Sequence, residues 1–135
     1  MKNTIILFIV MSALSVSGCS SSKYNLASLA GTNVRDLEAH KDSGITRTFN
    51  IPRGEAFDKT VSIVKNAGLT VFQRNPKKGY IVVMGFKEQV DTTRVGIFFE
   101  PASETATKIT LSSLSSLVLP KAEKIIFEGL AKPSS

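Results

Sequence analysis

The chain has one cysteine, one histidine and no apolar run longer than about ten residues, and each scarcity removes a class of protein. A lone thiol, Cys19, cannot close an intramolecular disulfide, so the fold is expected to be stabilised by packing alone. The single histidine, His40, lies in the polar stretch "EAHKD", where nothing orients it as a ligand or general base. No serine stands in a nucleophile-elbow pattern. The carboxylates are scattered. Glu88, Asp91 and Glu100 gather near strand ends, but without calcium-loop spacing. The sequence therefore predicts no enzyme, no metal site and no cofactor.

The longest greasy stretch, "IILFIVMSAL" at Ile5–Leu14, rises only about 15 Å as a helix, half the thickness of a bilayer core. It is too short to span a membrane and has the size of a secretory h-region, behind the positive Lys2. Small residues follow in "SVSG", and then Cys19. One reading is an ordinary signal peptide cut near Gly18, which leaves Cys19 as a free thiol. An exported protein rarely keeps such a thiol without reason.

The other reading comes from a resemblance. Val16-Ser17-Gly18-Cys19 resembles the lipobox of bacterial lipoproteins: an aliphatic residue, two small residues and a cysteine behind a short h-region. Val16 stands where leucine is commoner. The resemblance implies a diacylglycerol group on the Cys19 sulfur, cleavage before Cys19, and a further acyl chain such as palmitate on the new amino terminus. One acyl chain binds a membrane only marginally, whereas two or three make a durable anchor. Ser20 follows the cysteine where, in enterobacterial lipoproteins, an aspartate favours retention in the inner membrane. The resemblance thus favours the outer membrane, facing the periplasm.

Three segments are expected: a lipoprotein signal peptide at 1–18, a lipid-anchored flexible tether at 19–43, and a single domain at 44–133. The 135 residues less the first 18 leave 117, enough for one domain. The formal charge of +6 is a modest basic excess. It is compatible with anionic lipid heads or envelope polymers, and equally with an ordinary solvated surface. No nucleic-acid recognition motif is present, and nucleic acid is a poor partner for an exported chain.

Within the tether, a short helix is expected at Val34–His40, capped by Thr32 or Asn33. Its apolar content is thin, and it is expected to dock weakly or not at all. From Ile45 the pattern changes: Ile45, Phe49 and Ile51 share one face of an extended segment, which Arg47 interrupts. Pro52 can open a helix over "RGEAFDKTVSIVKNAG", with Phe57, Val61 and Val64 as its stripe and Gly68 as its stop. Four strand-like runs follow: "LTVFQ", "GYIVVMGF", "TRVGIFFE" and "ATKITLSS". A final helix, "VLPKAEKIIFEGLAK", carries Ala122, Ile125, Ile126, Gly129 and Leu130 on one stripe.

The order β-α-β-β-β-β-α predicts a two-layer α+β fold, an antiparallel sheet of four to five strands with two helices on one face. This order, with "FNIPRGEAFDKTVSIVKNAGLTVFQRNPKKGYIVV" in particular, resembles small envelope-lipoprotein domains of helix-grip type. Those include the lipoprotein domains attached to the outer-membrane β-barrel assembly machine. The anchor, the tether, the two-layer fold and the missing catalytic set together predict a non-catalytic interaction or assembly-accessory module with an envelope protein partner. A carrier of a small apolar ligand or lipid is the alternative, with Tyr80, Phe86, Phe98, Phe99 and Phe127 as candidate lining.

Two loops stand out. The turn "RNPKKG" concentrates Arg74, Lys77 and Lys78 at a hairpin tip, a candidate contact for lipid phosphates or an acidic partner. In and just before "SSLSSL", Leu111, Leu114 and Leu117 recur every third residue, which packing at a strand end would explain.

Overall fold

The computed structural model describes residues 33–89 and 93–133. Cys19 and the whole Val16-Ser17-Gly18-Cys19 stretch, with Asp91, lie outside the described residues. The elements are helix α1 (Val34–Ala39), a 3-10 turn (Lys41–Ser43), strand β1 (Ile45–Phe49), helix α2 (Arg53–Asn66), strands β2 (Thr70–Asn75), β3 (Tyr80–Met84), β4 (Val95–Pro101) and β5 (Thr107–Ser112), and helix α3 (Leu119–Ala131). The strands form one sheet in the order β1-β5-β4-β3-β2, antiparallel throughout. The α+β architecture expected from the sequence is present, with five strands.

Chain order explains the sheet order. The strands β2 to β5 are a meander of short connections, and β1 pairs with β5, so α2 must carry the chain from one sheet edge to the other. In doing so it lies across the sheet beside α3. The stripe residues Phe57, Val61 and Val64 of α2 and Ala122, Ile126 and Leu130 of α3 are buried against Ile81, Val83, Ile97, Phe99, Ile109 and Leu111. Alternation along the strands puts all six sheet residues on this face. Phe127, outside the expected stripe, is fully buried and meets Phe49 edge-on with ring centroids 5.3 Å apart.

Arg47 interrupts the apolar face of β1 as expected, and the structure shows how it is accommodated. Its guanidinium lies 5.0 Å from the Phe127 ring centroid and donates to Glu123 Oε1 at 3.2 Å. In β2, the register slips between Val71 and Gln73, leaving Phe72 as the extra residue of a bulge. Phe72 remains half-exposed, with the buried Arg94 guanidinium 4.5 Å from its ring centroid.

The segment before β1 differs from the expectation. Residues 34–43, placed in the flexible tether, pack on the domain. Helix α1 lies on the sheet face opposite α2 and α3, where Leu37 is fully buried with Val82 and Phe98. Hydrophobic count underestimated this helix because one leucine is enough when a socket awaits it. Gly96 supplies the socket: a Cβ there would lie 2.7 Å from Phe98 Cε2 and 3.1 Å from Leu37 Cβ. Polar contacts complete the dock. Asn33 Oδ1 accepts from Asp36 N at 3.0 Å while the Asp36 carboxylate accepts from Asn33 N, a capping box. Ser112 Oγ donates to Leu37 O.

The "SSLSSL" loop also departs from expectation. Only Leu111 packs; Leu114 and Leu117 are 51% and 75% exposed. Polar bonds hold the loop instead: Ser113 Oγ donates to Arg94 O at 2.7 Å and accepts from Ser115 N.

Candidate functional site: the β2–β3 turn and the entry of the chain

The turn between β2 and β3 covers residues 76–79. Its shape is fixed from within: Asn75 O accepts from Gly79 N at 2.8 Å, and Asn75 Oδ1 accepts from Lys78 N at 3.0 Å. Gly79 has φ +75°, a left-handed conformation open to glycine at little cost. Gly79 O then accepts from Phe99 N, which ties the turn to β4.

The turn is also held from outside. Arg53, the first residue of α2, donates through Nη2 to the carbonyls of Pro76 and Lys77 at 3.2 and 3.0 Å. A Cβ at Gly79 would lie 2.4 Å from that same Nη2 and 2.7 Å from Phe99 O. One arginine thus fastens the hairpin tip to the start of the helix. No local pattern signals this, because Arg53 and the turn are brought together only by the crossover of α2.

Arg74, Lys77 and Lys78 are all exposed, and among the described residues none of the three is in an ion pair. The tip therefore presents three uncompensated cations on a braced backbone, with Arg53 beside them. Lys78 reaches into a cleft of about 380 Å³ that it shares with Asn33, Arg35, Glu38, Tyr80 and Phe98. Asn33, which caps the start of α1, thus lies beside the cationic tip.

Other charged groups are engaged locally. Glu100 accepts from Lys41 at 2.7 Å and from Lys108 at 2.9 Å, and these hydrogen bonds hold its carboxyl below the ordinary glutamate range against a weaker effect of burial. Lys41 also lies 5.0 Å from the Phe98 ring centroid. Glu88 accepts from Lys121 at 2.7 Å, which lowers its carboxyl likewise. Glu88 and Glu100 belong to separate contacts and do not converge. His40 Nδ1 donates to Asp36 O at 2.8 Å, a contact that ends α1 rather than building a site. Among the described residues, no three of His, Cys, Asp and Glu come together as a metal would require.

The five aromatics considered as a groove lining are divided between the two sheet faces. Phe86, Phe99 and Phe127 belong to the main core, while Phe98 and Tyr80 pack with Leu37 on the other side. No helix among the described residues is long and apolar enough to cross a membrane. In comparison with known proteins, the chain matches no family model and no curated protein.

Proposed function

We propose that this chain is a lipid-anchored protein of the bacterial envelope that acts as a non-catalytic interaction or assembly-accessory module. Cys19 carries the acyl chains, the outer membrane facing the periplasm is its site, and the folded domain engages an envelope protein partner. The anchoring reading is supported by Val16-Ser17-Gly18-Cys19 placed directly behind a short apolar run. The observation that carries the interaction reading is the coincidence of chain entry and cationic tip, since Asn33 and Lys78 line one cleft.

Residues 20–32 lie between Cys19 and Asn33 in the sequence and can reach at most about 45 Å. The end of the domain that bears Arg74, Lys77 and Lys78 is thus the end attached to the anchor. On that geometry the tip meets anionic lipid heads or an acidic surface close to them, at a range limited to about 8 Å by physiological salt. The helical face is left free for a partner. Because the core aromatics do not enclose a common groove, the carrier reading is not advanced.

Metabolic labelling with a radioactive fatty acid tests the anchor. Label is expected in the wild-type chain and absent from Cys19→Ser, which should also leave the membrane fraction. An unlabelled wild-type protein overturns the anchor. Formaldehyde treatment of intact cells tests the module: a discrete protein adduct is expected, and recovery of monomer alone counts against it.

A further inference from the structure

The helical face carries a feature that neither the anchor nor the cationic tip uses. Where α2 ends and α3 begins, a cleft of about 410 Å³ opens between the end of β3 and the two helices. Its floor is apolar, built from Leu69, Phe86 and Ile125. Its rim holds Lys87, Lys121 and Lys124, and among the described residues none of its lining is acidic. Lys121 is engaged by Glu88 and by Lys87 O, whereas Lys87 and Lys124 are exposed and hold no ion pair among the described residues. Through Ala67, Lys124 and Ile125 the cleft runs on into a shallower groove along α2 and α3, past Ile63 and Gly129, where Glu128 is flanked by Lys124 and Lys132.

We infer that this cleft is a docking site for an acidic segment of a protein partner, which inserts one large apolar side chain flanked by carboxylates. An apolar floor selects an apolar anchor, and the two rim ammonium groups that Glu88 leaves unpaired, on Lys87 and Lys124, select its neighbours by charge. A free anionic amphiphile fits less well. Leu69 and Phe86 are only 8% and 5% exposed, so the floor receives the tip of one side chain rather than the length of an alkyl chain, and the remaining contact must come from the rim and the groove. A protein segment adds contacts along the α2/α3 groove, in the manner of a peptide laid between helices. The inference rests on the interaction-module reading and names the surface and the partner chemistry.

Site-specific photo-cross-linking in intact cells of the native host tests it, with the full chain carrying a photoreactive residue in place of Ala67. A second chain carries it at Thr48 on the β1 edge, and a third at Glu104 in the β4–β5 turn. Both residues are exposed and lie outside the cleft. The expected result is a protein adduct from position 67 whose cross-linked peptide has Asp or Glu within a few residues of a large apolar residue. That adduct should fall at least about tenfold in the double variant Lys87→Glu, Lys124→Glu and persist in Lys87→Arg, Lys124→Arg, with thermal midpoints unchanged because both lysines are exposed. A lipid adduct at position 67, an adduct indifferent to charge reversal, or no adduct there overturns the inference. Adducts at 48 or 104 with none at 67 overturn the cleft while sparing the module; silence at all three positions removes the module as well.

Discussion

On one face of the sheet, two helices of 14 and 13 residues bury a continuous core; on the other, the six residues of α1 bury a single leucine. The first face is redundant, since many apolar side chains contribute and each helix supports the other. The second is sparse. A helix of six residues is far below the length that is stable alone in water, so α1 exists only because the sheet receives Leu37. The difference teaches that burial in this protein is graded. The helical face sets whether the chain folds, and the α1 face sets how the segment leading from the proposed anchor joins the folded body.

The largest effect is expected on the redundant face. Phe127 is fully buried, meets Phe49, and lies under the Arg47 guanidinium. Phe127→Ala should lower the unfolding free energy by about 3–5 kcal/mol, read from urea denaturation. A much smaller loss would mean that this face is less tightly packed than its burial implies. Leu37→Ala comes next. Its cost should be about 2 kcal/mol, at the low end for a buried leucine because α1 can detach while the rest stays folded. Amide exchange should separate the two faces. Residues 34–43 become unprotected in Leu37→Ala while β4 and β5 keep their protection. If β4 and β5 lose protection in parallel, the two faces are one cooperative unit and the contrast fails.

How much of this was legible in the sequence follows the same division. The strands and the two long helices announce themselves because each has a local period, such as Phe57, Val61 and Val64 in α2 or the alternation of Ile109 and Leu111 in β5. Gly68, with φ +78°, stops α2 where expected. What could not be read is what depends on distant residues meeting. Leu37 looked like a stray apolar residue because its socket, Gly96, lies far along the chain. Nothing around Lys59 in the sequence signals a partner, yet its ammonium donates to the carbonyls of Leu130 and Lys132 at the end of α3. The cationic tip was legible as composition, but its brace by Arg53 was not. The lysine-rimmed cleft draws its rim from the end of β3 and from α3, so no window of sequence contains it.

The tip allows a sharper comparison, between a turn held by backbone geometry and a helix held by burial. Gly79→Ala asks an L residue to adopt φ +75° and drives its Cβ against Arg53 and Phe99 O. The expected loss is about 1–2 kcal/mol in thermal or urea unfolding. Amide exchange should quicken at residues 76–79 and leave α1 unchanged. Should α1 loosen too, the cleft shared by Lys78 and Asn33 couples the chain entry to the turn more strongly than their separate contacts indicate.

The smallest effect concerns the ion contacts that tie the segment after α1 to β4 and β5. Lys41 and Lys108 converge on Glu100 and hold its carboxyl below the ordinary glutamate range. A carboxyl lowered in the folded state binds fewer protons there than in the unfolded chain, so its contribution is fully present above the unfolded value. It is lost as pH falls through the lowered folded value. With side chains 25–48% exposed, solvent screening keeps the contribution below about 1 kcal/mol. Glu100→Gln should therefore lower stability at neutral pH by less than about 1 kcal/mol and converge with the wild type in acid, which flattens the acid limb of the thermal midpoints. Glu88 is lowered in the same direction by Lys121, so the flattening will be partial. A wild-type acid limb that survives intact in Glu100→Gln would assign the pH dependence elsewhere and leave Leu37 as the main tie on the sparse face.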